Sequence, residues 1–172
     1  DLDTVNAFAT LGGHVFVTTA MIEALPNENA LAWVLAHEIG HVRHRDPMRG
    51  ASTGVLLGLL GALVSGDSGI GDVVVGSGGM VGGLHFSRER EEDADAAGLP
   101  ALVALYGHAG GYEDALETLR PMVDAEGEPP TILASHPHLD ARRDLLDGLV
   151  AEEGWPVSAA RVPLAPEFRL RE

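Results

Sequence analysis

Hydrophobic residues recur at two different spacings along the chain, and these spacings predict a small hairpin followed by helices. Residues 4–19 are rich in Val, Phe and Thr and are divided by Gly12-Gly13, which is typical of two short strands around a tight turn. Pro26-Asn27 then introduces a helix with Asn27 as its expected N-cap. The apolar stripe of that helix consists of Leu31, Val34, Leu35, Ile39 and Val42.

The middle of the chain predicts two more helices separated by a loop. An apolar helix is expected from Pro47 to Val64, and the Gly-rich residues 65–83 are expected to form a loop. The next helix should run from about Gly83 to Tyr106, kinked or interrupted at Gly98-Leu99-Pro100, because Pro lacks an amide donor. The longest apolar stretch, 54–64, has 11 residues, whereas a membrane span needs roughly 20, so a buried helix is favoured.

The C-terminal part predicts two helices and an extended tail. They cover residues 112–124, with Pro121 near the end, and 138–152, while three prolines from Gly154 onward favour an extended conformation. The expected fold class is α+β and mainly helical, in a single domain over residues 1–172. Because the chain begins at Asp1 within an apparent strand, we expect an N-terminal portion of the full-length protein to be absent.

Composition narrows the possible functions and the possible metal ligands. The chain has 26 acidic and 11 basic residues, a formal net charge of −15, and no lysine or cysteine. A field of this sign disfavours nucleic acid and anionic membrane surfaces as partners. Without thiolates, any metal must be held by imidazole and carboxylate groups.

The main chemical signal is the segment His37-Glu38-Ile39-Gly40-His41. Positions i and i+4 share one helical face, so both imidazoles can reach one ion and Glu38 lies beside its open side. Two imidazoles and a carboxylate would leave a fourth zinc position for water, whose pKa falls to about 7 while Glu38 accepts its proton. The alternative is a helix with surface histidines, since the five-residue pattern also arises by chance.

The third metal ligand must come from another segment. A metzincin would have Gly at position 44 and His at position 47, but the chain has His44 and Pro47. The acidic residues 87–95 include Glu91 and Asp95, one helical turn apart. Glu91 is the expected metal ligand and Asp95 the expected support of a ligand histidine, against the alternative of an acidic, solvated helix face.

Four ordered motifs resemble those of one protease family. They are Val5 to Ala9 with Gly12 to Val17, His37 to His41, Ser87-Arg88 through Glu91 and Asp95, and Ser135-His136-Pro137 with Arg142. This set resembles the HtpX/OMA-type gluzincins, relatives of the CAAX prenyl proteases, which are integral-membrane or periplasmic zinc endopeptidases. The resemblance implies a zincin-type domain with a small edge hairpin or sheet and an active-site helix pair.

The resemblance also assigns roles. It implies one Zn²⁺ per chain on His37, His41 and Glu91, because only Glu91, unlike Glu89 and Glu92, stands four residues before Asp95 as the family motif requires. Residues Asn6, Ala7, Phe8 and Ala9 correspond to an edge strand that would bind an extended polypeptide substrate. A bacterial cell-envelope location is implied, with membrane contact only through a missing N-terminal segment.

Two late residues keep more than one interpretation. His136 is placed near the metal by the resemblance, where it would stabilise an oxyanion or cap the zinc, and the alternative is a structural histidine that anchors a loop. Arg142 is compatible with pairing to an acidic site residue, with binding substrate carbonyls and with a surface position. No metal partner is identified for the remaining histidines, His14, His44, His85, His108 and His138.

Three functions remain open at this stage. The leading hypothesis is a zinc-dependent endopeptidase that acts on extended or misfolded proteins. The second is a chaperone-like or assembly module that keeps zinc but rarely cleaves, with His136 closing the fourth ligand position. The third is another metal-dependent hydrolase on the same ligands, since imidazole and carboxylate also bind other divalent ions.

Overall fold

The computed structural model describes residues 4–50, 86–123 and 131–168. Residues 46–50 are helical, which agrees with the start of the predicted apolar helix. The rest of that helix, with its apolar stretch 54–64, and the predicted Gly-rich loop lie outside the described residues.

The predicted hairpin is present near the N-terminus. Strand β1, Ala7–Ala9, pairs antiparallel with strand β2, Val15–Val17, and Phe8 lies opposite Phe16. The two phenyl rings stack with their centroids 5.3 Å apart. The strands lead into helix α1, Thr19–Ala24, which the sequence did not predict.

The remaining elements, in chain order, are helices α2 Glu28–His44, α3 Arg88–Tyr106, α4 Tyr112–Val123, α5 Thr131–Ser135 and α6 Leu139–Glu153, and a short 3₁₀ helix Pro166–Phe168. Asn27 caps α2 as predicted, and its side-chain oxygen accepts a hydrogen bond from the Ala30 amide at 2.9 Å. Helix α5 was not predicted. The mainly helical fold with a small sheet is confirmed.

Helix α3 continues through Pro100 without the interruption that the sequence left open as an alternative to a kink. A proline at position 100 removes the amide that would bond the carbonyl of Ala96. Both residues are exposed, so water can satisfy that carbonyl. The helix therefore tolerates the proline on its solvent side.

Helices α2 and α3 pack at very short range, and two glycines make this possible. A Cβ atom at position 40 would lie 2.9 Å from the carbonyl oxygen of Ala94, and a Cβ at position 98 would lie 3.1 Å from the His37 amide nitrogen. Because glycine has no Cβ, the two backbones can approach this closely. Side chains from both helices consequently meet in one place.

The tail after α6 is largely without regular structure and crosses the start of α2. The Val162 carbonyl accepts a hydrogen bond from the Glu28 amide at 2.8 Å, and the Val162 amide donates to Asn29 Oδ1 at 2.7 Å. These bonds satisfy groups at the N-terminus of α2. Among the described residues, no helix has the length and apolar character needed to cross a bilayer.

Candidate metal centre

Four buried side chains converge where α2, α3 and the end of α5 meet. They are His37 and His41 of α2, Glu91 of α3, and His136, which directly follows α5. One ligand atom from each lies within 4.8 Å of all the others. The structure therefore brings together the three predicted metal ligands and His136, which the sequence also placed near the metal.

The spacing of the four ligand atoms suits a tetrahedral metal ion. His37 Nε2 is 3.1 Å from His41 Nε2 and 3.2 Å from His136 Nδ1. Glu91 Oε1 is 3.0 Å from His136 Nδ1 and 3.3 Å from His41 Nε2. A tetrahedral zinc ion with bonds of about 2.0–2.1 Å separates its ligands by about 3.3 Å, so the donor set fits such an ion.

Asp95 fixes the orientation of the His37 ring from outside the cluster. Its Oδ1 lies 2.8 Å from His37 Nδ1. The carboxylate accepts the Nδ1 proton, so the Nε2 lone pair is left to face the cluster. This geometry is the arrangement expected of Asp95 from the sequence.

Arg142 lies inside the site, which decides among its three earlier interpretations in favour of pairing with acidic residues. It is buried, with its Nη2 2.7 Å from Asp95 Oδ1 and its Nη1 3.1 Å from Glu91 Oε2. Its guanidinium also lies over the Trp33 ring, 5.4 Å from the ring centroid. The sequence did not reveal this contact, because a residue near the start of α6 can face either the solvent or the core.

Asp46 is a site residue that the sequence did not reveal. Its Oδ2 lies 3.0 Å from His41 Nδ1, and the side chain is 1% exposed. Residue 46 stands five positions after His41, a spacing that a continuous helix would not place on the same face. Asp46 reaches His41 because α2 ends before Arg45, which is in the left-handed conformation, and the sequence did not predict this helix end.

The charges of the cluster favour a bound cation. Burial lowers the pKa of His37, as does Arg142, but Asp95 and Glu91 outweigh both and raise that pKa to about 9. Burial raises the pKa of Glu91, yet the neighbouring His136, His37 and His41 hold it well below its ordinary value. Burial lowers the pKa of His136. A proton and a metal ion thus compete for the same position.

Glu38 projects into the site with free acceptor capacity. Its carboxylate is 1% exposed, and within the described part of the chain neither of its oxygens has a hydrogen-bond partner. Oε1 lies 3.3 Å from His136 Nε2. A cavity of about 10 Å³ adjoins Glu38 and is lined also by Trp33, His136 and Arg142, which is room for about one water molecule.

The predicted substrate strand packs against the active-site helix. Asn6, Ala7 and Ala9 are 7%, 0% and 4% exposed, and Phe8 is half-buried. Asn6–Thr18 and Thr10–His14 are hydrogen-bonded pairs, and Phe8–Phe16 lies midway between them. Hydrogen-bonded and non-hydrogen-bonded pairs alternate along an antiparallel ladder, so the amide and carbonyl groups of Ala7 and Ala9 point away from β2. Those groups form the outer edge of the sheet.

Of the other histidines, His14, His44, His108 and His138 do not belong to the metal-capable group found among the described residues. His14 and His138 are exposed, His44 is half-buried and His108 is buried. His85 lies outside the described residues.

A buried His-Glu-x-x-His pair joined by a carboxylate from a second helix defines a gluzincin-type metallopeptidase site. The family model of Peptidase family M48 matches residues 1–150. The chain belongs to this family of zinc-dependent metallopeptidases. The enzyme class predicted from the four sequence motifs is confirmed.

Three relatives illustrate the family. The beta-barrel assembly-enhancing protease of Escherichia coli K12 is 32% identical over 151 residues, covering 81% of this chain and 31% of that protein. A protease HtpX homolog of Desulforapulum autotrophicum is 32% identical over 142 residues, covering 68% of this chain and 45% of that protein. The mitochondrial metalloendopeptidase OMA1 of Saccharomyces cerevisiae is 32% identical over 99 residues, covering 55% and 27%. The chain spans less than half the length of each.

Proposed function

We propose that this chain is the catalytic domain of an endopeptidase that hydrolyses extended or misfolded polypeptides with one zinc ion. The observation that carries the proposal is the convergence of His37, His41 and Glu91 around one point with Glu38 beside it. The family assignment supports the peptidase class. The choice of polypeptide substrate rests on the edge of the sheet next to α2.

His37, His41 and Glu91 would hold the zinc. Zinc supplies Lewis-acid chemistry in such a site, lowering the pKa of water to about 7 and polarising the substrate carbonyl. Asp95 keeps the His37 lone pair directed inward, 2.8 Å away at Nδ1, and Arg142 keeps both Asp95 and Glu91 ionised. The protein thus provides a negative, rigid ligand set.

Glu38 is the proposed general base. Its buried oxygens lack hydrogen-bond partners among the described residues, so they are free to accept a proton from the attacking water and pass it to the leaving amine. A carboxylate in this position accelerates hydrolysis by roughly 10²- to 10⁴-fold in typical enzymes. The adjoining water-sized cavity supports this role.

Residues Asn6 to Ala9 are the proposed substrate strand. An extended polypeptide would pair with the outward main-chain groups of Ala7 and Ala9, which gives affinity with little demand on side-chain sequence. Both residues are buried in this structure, so pairing requires the edge to open. A larger cavity of about 550 Å³, lined by His136, Leu133 and Leu139, offers room for a substrate side chain nearby.

A cell-envelope location is part of the proposal. It is supported by the similarity to a beta-barrel assembly-enhancing protease and by the family resemblance of the four motifs. The strong negative charge makes direct binding to anionic lipid headgroups unfavourable.

A second candidate function is a zinc-containing, chaperone-like module whose site is closed by His136. The observation that favours it is the position of His136 Nδ1, 3.2 Å from His37 Nε2 and 3.0 Å from Glu91 Oε1. In this position the imidazole would be a fourth ligand and would take the place of water. His136 then acts as a cap rather than as an oxyanion donor.

The proposal is tested by comparing zinc content and casein cleavage in the wild type and the Glu38→Gln variant. We expect wild type to hold zinc and cleave, and Glu38→Gln to hold zinc while cleavage falls at least 100-fold, in line with loss of a general base. Glu23→Gln is the matched control, because Glu23 is exposed on α1. Equal cleavage by all three proteins would exclude Glu38 as the base.

A further inference from the structure

Asp46 is almost completely buried beside the metal centre. It is 1% exposed, and its Oδ2 lies 3.0 Å from the Nδ1 atom of His41. The ring of His41 is held on its face by Phe86, whose centroid is 4.1 Å away in a stacked arrangement. The Asp46 contact therefore sets the rotation of an imidazole that is already confined to one plane.

The backbone brings Asp46 to this position through a local reversal. Arg45 has φ 59° and ψ 32°, the left-handed conformation, and its amide donates to the carbonyls of His41 and Val42 at the end of α2. Residues 46–50 then start a new helical segment. A left-handed conformation is unfavourable for a residue with a Cβ, so the surrounding structure holds this turn in place.

The two imidazoles that α2 contributes to the site, His37 and His41, are supported differently. The partner of His37 comes from α3 and is held by two hydrogen bonds from Arg142. The partner of His41 is Asp46, which follows shortly after α2 in the chain. Its second oxygen, Oδ1, has no hydrogen-bond partner within the described residues. Arg49 and Arg90 lie 3.9 and 3.8 Å from that oxygen.

We propose that Asp46 is a positioning residue that fixes the tautomer and rotation of His41 for metal binding. A carboxylate can only accept the Nδ1 proton, so the lone pair of Nε2 is left to face Glu91 and His37. This inference rests on the proposed zinc site and extends it by one residue. The site would then have a carboxylate behind each of the two ligand imidazoles on α2.

The test compares zinc affinity in wild type, Asp46→Asn and Asp46→Glu by competition with a chelator. We expect Asp46→Asn to bind zinc about 10- to 100-fold more weakly, and Asp46→Glu to recover part of the loss because it keeps the charge. Asp93→Asn is the matched control, with the same charge change at an exposed position of α3. In long-range ¹H–¹⁵N spectra of the zinc-loaded protein, the Nδ1 proton of His41 should shift upfield in Asp46→Asn.

Thermal unfolding of the metal-free proteins separates positioning from packing. If Asp46→Asn lowers the stability of the metal-free fold but leaves zinc affinity and the His41 resonance unchanged, Asp46 serves packing alone and the inference is wrong. If the wild type binds no zinc, both the proposed zinc site and the inference about Asp46 are wrong. This outcome is seen in the wild type alone, so it is distinguished from an effect of the Asp46 variants. Weak binding by Asp46→Asn with a normal metal-free fold supports the inference.

Discussion

Arg142 holds Asp95 through a two-point ion pair, with Nε 2.8 Å from Oδ2 and Nη2 2.7 Å from Oδ1. The third guanidinium nitrogen, Nη1, lies 3.1 Å from Glu91 Oε2. One cation on α6 therefore connects Glu91 of α3, the proposed metal carboxylate, with the residue that contacts His37 on α2. All of these side chains are buried, so their charges interact with little screening by water.

Replacing Arg142 should destabilise the fold as well as the site. Arg142→Ala leaves two buried carboxylates without their cation, and breaking a buried pair in this way costs about 3–5 kcal/mol of unfolding free energy. Chemical denaturation of the metal-free protein measures it. Arg143→Ala is the matched control, because the pairs of Arg143 with Glu117 and Asp147 are solvent-accessible, and such pairs stabilise by about 0–1 kcal/mol. Similar losses for both variants would contradict the assigned role of Arg142.

The stability of the metal-free protein should fall in acid because of Asp95. Burial acts to raise the pKa of this carboxyl, but Arg142 and His37 lower it from 3.8 to about 2. A depressed pKa stabilises the fold above the unfolded-state value, and this stabilisation is lost as the pH falls from about 4 to 2. Denaturation at several pH values should show a flatter slope in this range for Asp95→Asn than for wild type. An unchanged slope would contradict the ion pair.

Gly40→Ala should separate α2 and α3, the two helices that carry the proposed metal ligands. The added Cβ would lie 2.9 Å from the carbonyl oxygen of Ala94, and overpacking of this kind costs about 1–3 kcal/mol. Because His37 and His41 lie on α2 while Glu91 lies on α3, zinc affinity should fall together with stability. Gly148→Ala is the control, since a Cβ there meets nothing within 4 Å among the described residues beyond the backbone of its own helix, and it should stabilise α6 by about 0.5–1 kcal/mol. Unaltered zinc affinity in Gly40→Ala would show that zinc binding does not depend on the close packing of α2 against α3.

Removing His136 should distinguish a cap from an oxyanion donor. Its Nδ1 lies among the metal ligands and its Nε2 is 3.3 Å from Glu38, so we expect His136→Ala to keep zinc and to cleave casein faster. The exposed residue His14 offers the matched control, His14→Ala, which should leave cleavage unchanged. Slower cleavage by His136→Ala, with zinc retained, would instead assign the imidazole to transition-state stabilisation.

The sequence revealed the parts of the site that depend on regular helix geometry. His37 and His41 are one turn apart, and so are Glu91 and Asp95, so helical periodicity alone places each pair on one face. The motif resemblance then selected Glu91 from three neighbouring glutamates. These residues meet in the structure as expected.

The parts that were missed depend on irregular backbone or on the packing of distant helices. Asp46 reaches His41 only because Arg45 adopts a left-handed conformation, which is uncommon for arginine. Arg142 is buried because α6 packs against α3 and α4, which local sequence does not determine. Gly40 and Gly98 matter because they allow the backbones of α2 and α3 to approach each other closely. The residue pattern of one helix does not show which positions face the backbone of another.

The most direct test of the central claim is the zinc stoichiometry of wild type, Glu91→Gln and Glu92→Gln after dialysis, measured by elemental analysis. Glu91 is fully buried among His37, His41 and His136, whereas Glu92 is 38% exposed in a pair with Arg88, so the two variants make the same chemical change one residue apart. A metallopeptidase with the proposed ligands predicts one zinc per chain in wild type and Glu92→Gln, and little zinc in Glu91→Gln. Full zinc retention in Glu91→Gln, or no zinc in wild type, would contradict it.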